Sequence, residues 1–250
     1  MKTAVMLCGH GSRDADAVAE FARAASGLKA RLPENDVAYG YLEFASPTIR
    51  DGFAKLVAQG AERILALPAM LFAARHVTND IPSEIARGAA DFPHVAMHLG
   101  RALSLEAKLL AAATARIEEG ERGNPHAMPR RETLLLVIGR GTNDPAANET
   151  IGALAQRLKD GMGFGRAEFG YGGTAAPLTE EALRRAAMLG FSRIVVFPYF
   201  LFTGVLVKRI YAACDRVAAD HPALDIIKAP YLGDHPLVLD CLADRVAEMM

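Results

Sequence analysis

The sequence predicts an α/β protein made of two tandem domains, each a parallel sheet covered by helices. Three observations predict it. The first is internal repetition at an offset of 130 residues: Gly9-His10-Gly11-Ser12-Arg13-Asp14 returns as Gly139-Arg140-Gly141-Thr142-Asn143-Asp144. At the same offset residues 41–48 meet 171–178 and residues 60–72 meet 190–202, and 12 of the 27 positions in these three blocks are identical. The period far exceeds the roughly 20–50 residues of solenoid repeats, so it reads as a domain duplication. The second is that short apolar runs alternate with helical spacing through both halves. The third is one stretch, 119–131, that holds Gly120, Gly123, Pro125 and Pro129 among many charges and reads as a linker.

Taken in order, residues 4–8 form a continuous apolar run, as expected of a strand buried on both faces. Residues 14–32 follow with helical spacing, then 37–42 as a strand and 47–59 as a helix. Strand 64–70, helix 79–90, strand 95–99 and helix 103–119 complete the half. The second half repeats the pattern with strands at 134–138, 167–171, 194–200 and 225–229, and helices at 144–159, 179–189, 205–219 and 237–249. The expected division is an N-terminal half, 1–120, carrying the active residues, a linker, 121–132, and a C-terminal half, 133–250, with a degenerate site.

Composition narrows the function. The chain has 250 residues, 28 Lys and Arg against 29 Asp and Glu, and 51% hydrophobic residues. This is a globular mixture, which excludes a disordered chain and argues against a basic nucleic-acid-binding protein. The longest uncharged apolar stretches, 64–74 and 194–207, have 11 and 14 residues, short of the ~20 needed to cross a bilayer. Neither nucleic acid nor membrane is expected as a partner. The N-terminus reads as a strand and a turn, not a secretion signal. Cys8, Cys214 and Cys241 are scattered with no CxxC, so a reducing cytoplasm is expected rather than a disulfide scaffold.

Ligands of such sheets bind beyond the carboxyl ends of the strands. His10, Glu43 and His76 each fall just past a strand, and their counterparts at offset 130 are Arg140, Gly173 and Leu206. The framework persists between the halves while these three differ, so the chemistry is expected in the first half alone. Two imidazoles and a carboxylate at one crevice can hold a divalent metal ion with coordination positions left open. Imidazole also accepts protons near neutral pH. Bland readings stand beside this one. A single histidine at a strand end caps or hydrogen-bonds, and a carboxylate there can serve the next helix N-terminus. Cys8 could offer a thiolate or be a buried apolar thiol. His94, His98, His126, His221 and His235 lack the strand-end setting and read as structural or exposed. The glycine turn at 9–13 enters a helix, which suits a carboxylate or phosphate, but position 14 is Asp rather than Gly and no P-loop lysine follows.

Gly9-His10-Gly11-Ser12-Arg13, Glu43-(x)3-Pro47-Thr48-Ile49 and Pro68-(x)2-Leu71-Phe72-(x)3-His76-Val77-(x)2-Asp80-Ile81-Pro82 together resemble the sirohydrochlorin chelatases, and more specifically the two-repeat CbiX-type cobaltochelatases of class II. The resemblance implies two flavodoxin-like domains of chelatase-like fold, with a cleft, and insertion of a divalent metal, Co²⁺ first and Fe²⁺ or Ni²⁺ as alternatives, into a sirohydrochlorin-type tetrapyrrole. It implies His10 and His76 as metal-binding and proton-accepting residues and Glu43 as their acidic partner. Ser12, Arg13 and Arg75 are the nearest partners for the carboxylates of the macrocycle. No iron–sulfur cluster is expected, and a monomer or a homodimer would serve. The competing readings are the ferrochelatase of sirohaem synthesis, a non-catalytic metal or tetrapyrrole carrier, and a phosphate-ester enzyme using the glycine turn.

Overall fold

The computed structural model describes residues 2–72, 79–142 and 145–250, the side chains of 145–147 excepted. The first half runs β1 (Thr3–Gly9), α1 (Ala15–Arg31), β2 (Asp36–Tyr41), α2 (Ile49–Ala58), β3 (Arg63–Pro68), α3 (Ile81–Asp91), β4 (Ala96–Leu99) and α4 (Ala107–Arg122). The second runs β5 (Thr133–Gly139), α5 (Pro145–Met162), β6 (Arg166–Tyr171), α6 (Thr179–Ala187), β7 (Arg193–Pro198), α7 (Val205–Asp220), β8 (Asp225–Lys228) and α8 (Pro236–Ala247). All strand pairs are parallel, in the orders β2-β1-β3-β4 and β6-β5-β7-β8. This is the flavodoxin-like doubly wound order, repeated once.

The central strands are buried because helices cover both of their faces. Along β1, Ala4, Met6 and Cys8 point to one face, where they pack with Ile49, Phe53 and Leu56 of α2 and Ile81 of α3. Leu134, Leu136 and Ile138 do the same in the second sheet, against Leu183 of α6 and Ile210, Cys214 and Val217 of α7. Helix α1 lies with α8, so closely at Gly27 that a Cβ there would stand 2.6 Å from Leu239 Cδ1.

The compact units are not the halves of the sequence. One comprises Met1–Leu109 and Asp234–Met250, and the other comprises Leu110–Gly233. Most of α4 therefore belongs with the second sheet, and α8 with the first. The boundary expected across 121–132 marks the repeat in sequence, not the edge of a compact unit. The reason is that two amphipathic helices of the same pattern, each following the last strand of a half, can cover either sheet. Sequence order alone does not choose.

Local signals set the helix ends next to the strand termini. Asp14 caps α1, its side chain accepting from Asp16 N. Thr48 caps α2 through a capping box: its hydroxyl accepts from Asp51 N, and Asp51 Oδ2 accepts from Thr48 N at 2.8 Å. Leu178 stands at the matching position of α6, with no side-chain cap.

Candidate metal-handling site

The register of the first sheet levels the carboxyl ends of its strands, with Gly9 beside Tyr41 and Cys8 beside Pro68. The ladder continues past them. Leu42 N donates to Gly9 O at 3.0 Å and Glu43 N to His10 O at 3.1 Å. His10 and Glu43 are thereby neighbours at the carboxyl ends of the adjacent strands β1 and β2, and β1, which carries His10, also borders the β1/β3 point where the strand order reverses. Gly11 makes the approach feasible, with φ +95°, a left-handed conformation that glycine adopts freely.

His10 Nε2 lies 3.3 Å from Glu43 Oε1, and His10 Nδ1 lies 3.2 Å from Gly11 O. Both ring nitrogens thus face oxygen acceptors. Two chemical states satisfy that geometry. One is an imidazolium donating to both oxygens. The other keeps the proton on Nδ1 and places a cation between the Nε2 lone pair and the carboxylate. Two ligand atoms on one ion, each about 2.0–2.2 Å from it, are separated by about 3–3.5 Å. The same pair can therefore hold a metal ion or a proton without rearrangement. His10 is 28% exposed and Glu43 is 47% exposed, so solvent reaches the pair.

Phe44 completes the described part of the site, and sequence reasoning missed it. Its ring stacks on the His10 imidazole with centroids 5.9 Å apart, and the Arg13 guanidinium carbon lies 4.8 Å from the ring centroid. It is 50% exposed and sits at φ +65°, an unfavourable conformation for a residue with a side chain. The same comparison that singled out Glu43 could have found it, since Thr174 replaces Phe44 in the second half. Arg13 thus borders the pair. Ser12 accepts from Asp14 N at 3.0 Å, so its hydroxyl oxygen serves the helix start. His76 and Arg75 lie outside the described residues. Among the described residues no group of three His, Cys, Asp or Glu side chains gathers as a metal cluster.

Cys8 reads as the apolar thiol of the two alternatives. It is wholly buried on the face that meets α2 and α3, and burial pushes its thiol up to about 12. His235 is structural, accepting from Leu237 N at the start of α8.

The matching end of the second sheet is built differently. Arg140 replaces His10, and a Cβ on Gly173 would stand 2.6 Å from Arg140 O. Asn148 closes the turn, its side chain accepting from Thr142 N at 2.9 Å and donating to Thr142 O at 2.8 Å. Val18, which has no polar group to do this, stands in its place in the first half.

The model of the CbiX family matches residues 4–120 and 134–249. Among curated proteins, a sirohydrochlorin cobaltochelatase of Priestia megaterium is 32% identical over 246 residues, spanning 98% of this chain and 79% of its own length. A sirohydrochlorin ferrochelatase of the same organism is also 32% identical, over 251 residues, spanning 99% of this chain and 90% of its own length. Among solved structures, SirB from Bacillus subtilis with Fe³⁺ superposes with a TM-score of 0.85 at 29% identity, covering 99% of this chain and 95% of that one. The fold is therefore chelatase-like, and with both halves matched by the family model this chain belongs to the CbiX family.

Proposed function

We propose that this protein is a sirohydrochlorin chelatase, inserting Co²⁺ into the macrocycle on the route to a cobalamin-type product. The observation that carries this reading is the 3.3 Å approach of His10 Nε2 to Glu43 Oε1 at the carboxyl edge of the first sheet. Insertion exchanges two pyrrole N–H protons for metal–nitrogen bonds. The site must hold a divalent ion loosely, release it stepwise to the ring and accept the two protons. His10 and His76 hold the ion, while Glu43 balances its charge, orients His10 and shares the departing protons. Arg13 and Arg75, with Ser12, are the proposed partners of the substrate carboxylates. The ring of Phe44 packs against both His10 and Arg13 and steadies them.

Imidazole and carboxylate donors accept Co²⁺, Fe²⁺ and Ni²⁺ alike, so donor type does not choose the metal. A second reading, the ferrochelatase of sirohaem synthesis, draws support from coverage: the ferrochelatase relative is matched over 90% of its length, the cobaltochelatase over 79%. We assign the protein to the cytoplasm, where tetrapyrrole and reduced metal meet. Among the described residues no helix is long and apolar enough to cross a membrane. The deciding experiment mixes the purified protein anaerobically with sirohydrochlorin and equal Co²⁺, Fe²⁺ and Ni²⁺, and follows the macrocycle absorbance. Preferential catalytic turnover with Co²⁺ supports the proposal, and preference for Fe²⁺ selects the second reading. Stoichiometric binding without turnover refutes both in favour of a carrier.

A further inference from the structure

Helices α2 and α6 occupy the same place in the two repeats. The buried positions of 48–60, which are Ile49, Gly52, Phe53 and Leu56, recur at 178–190 as Thr179, Ala182, Leu183 and Ala186. The exposed positions diverge. Thr48, Ala58 and Gln59 give way to Leu178, Met188 and Leu189, all of them exposed. Met188 is 84% exposed and Leu178 50%. Leu178 also displaces a cap: Thr48 accepts from Asp51 N, whereas Leu178 has no side-chain oxygen to do so, which weakens the helix start. A leucine that is exposed and replaces a cap breaks two local rules at once. Apolar side chains gathered on a surface in this way mark a contact with another molecule.

Ion pairs decide which charges share that face. Glu180 accepts from Arg216 of α7 at 2.8 Å, and Arg184 donates to Asp220 of α7 at 2.9 Å. Positions 180 and 184 are thus turned toward α7. Leu178, Glu181, Arg185 and Met188 follow at steps of three, four and three residues, so they line one stripe of the helix. All four border one open surface hollow, and Glu181 and Arg185 are ion-paired.

The order along the stripe is apolar, acidic, basic, apolar. Both pairs, 178 with 188 and 181 with 185, are centred on residue 183. The outer pair is separated by about 15 Å along the axis and the inner pair by about 6 Å. A second copy laid antiparallel therefore sets Leu178 on Met188 and Glu181 on Arg185, and each again in return. A two-fold axis level with residue 183 makes all four contacts at once, as an isologous interface demands. Helix α2 keeps the charges as Asp51 and Lys55, but it flanks them with Thr48 and Ala58 and commits Asp51 to the cap.

We propose that α6 is a homodimer interface, in which two copies of this chain pair antiparallel through Leu178, Glu181, Arg185 and Met188. One helix buries a modest area, so the dimer is weak and forms between ~1 µM and ~1 mM. Its two Glu181–Arg185 pairs join into a ring of alternating charges that fixes the direction of pairing. None of these residues belongs to the metal-handling site, so the inference stands apart from the proposed function.

Sedimentation velocity on the full chain from ~1 µM to ~1 mM reads the association. The parent should pass from one chain to two across that range. Met188→Ala should weaken association at least about tenfold, since symmetry removes the side chain twice. Glu181→Arg would bring arginines together and Arg185→Glu would bring glutamates together, so each variant alone should stay monomeric. Mixed in equal amounts, these two variants should form a heterodimer, because every charge then meets its opposite. Lys55→Glu, at the matching place of α2, should associate as the parent does. Melting temperatures near the parent's show that each variant is folded, and should a charge variant not fold, Met188→Ala decides. A parent that remains a single chain at the highest concentration overturns the proposal and leaves the stripe to a different protein. Association that survives in Glu181→Arg, Arg185→Glu and Met188→Ala overturns it as well, because the dimer then forms elsewhere. So does a mixture of the two folded charge variants that stays monomeric.

Discussion

No side chain fits between Gly11 and Glu43: a Cβ on Gly11 would stand 1.8 Å from the Glu43 carbonyl oxygen. That closeness lets the strand pairing run on to His10 and Glu43, and so brings an imidazole and a carboxylate within reach of one ion.

Gly11→Ala should therefore cost more than backbone strain. Gly60 has a similar φ of +85°, and a Cβ added there would meet nothing within 4 Å, so Gly60→Ala isolates the strain, about 1–2 kcal/mol. We expect Gly60→Ala to melt slightly lower with normal metal insertion. Gly11→Ala should melt lower still and lose at least about tenfold in kcat/KM, since misplacement near 1 Å is that costly. Thermal melts and the absorbance assay on both variants check this.

Phe44 separates activity from stability. Its ring is half exposed and its backbone strained, so Phe44→Gly relieves strain while losing little burial. The expected result is stability within about 1 kcal/mol of the parent, with metal insertion clearly reduced because His10 and Arg13 lose the ring that both contact.

The second half should resist conversion. Arg140→His with Gly173→Glu restores both side chains, but residue 173 has no room for a Cβ beside Arg140 O. The double variant should be destabilised, and titration with Co²⁺ should show no additional equivalent bound.

The α2 cap gives a pH-dependent stability. Hydrogen bonds from Thr48 hold the Asp51 carboxyl below its ordinary value. A depressed folded pKa contributes stability that is present above the unfolded value of about 3.9 and is lost as pH falls through the folded one. Thr48→Ala should cost about 1 kcal/mol at neutral pH, with the gap to the parent narrowing below pH ~4 as Asp51 protonates in both proteins. Melts across pH 2–7 measure it.

Most of the strands and helices were legible because parallel strands buried on both faces leave uninterrupted apolar runs, as at 4–8 and 134–138. His10 and Glu43 were legible because the chain carries its own control, a second copy with Arg140 and Gly173 in their places. The exchange of α4 and α8 was not legible from periodicity, because both are amphipathic helices that follow the last strand of a half and either could cover either sheet. Phe44 was hidden because its importance depends on a left-handed loop conformation that no apolar pattern encodes.

The central claim is that His10 and Glu43, with His76, take hold of one divalent ion. Equilibrium titration of Co²⁺ into the parent, His10→Ala, Glu43→Gln and His76→Ala, with folding checked by melts, tests it most directly. The account predicts one Co²⁺ per chain in the parent and affinity at least about tenfold weaker in each histidine variant. Parent-like binding in His10→Ala and His76→Ala would contradict it.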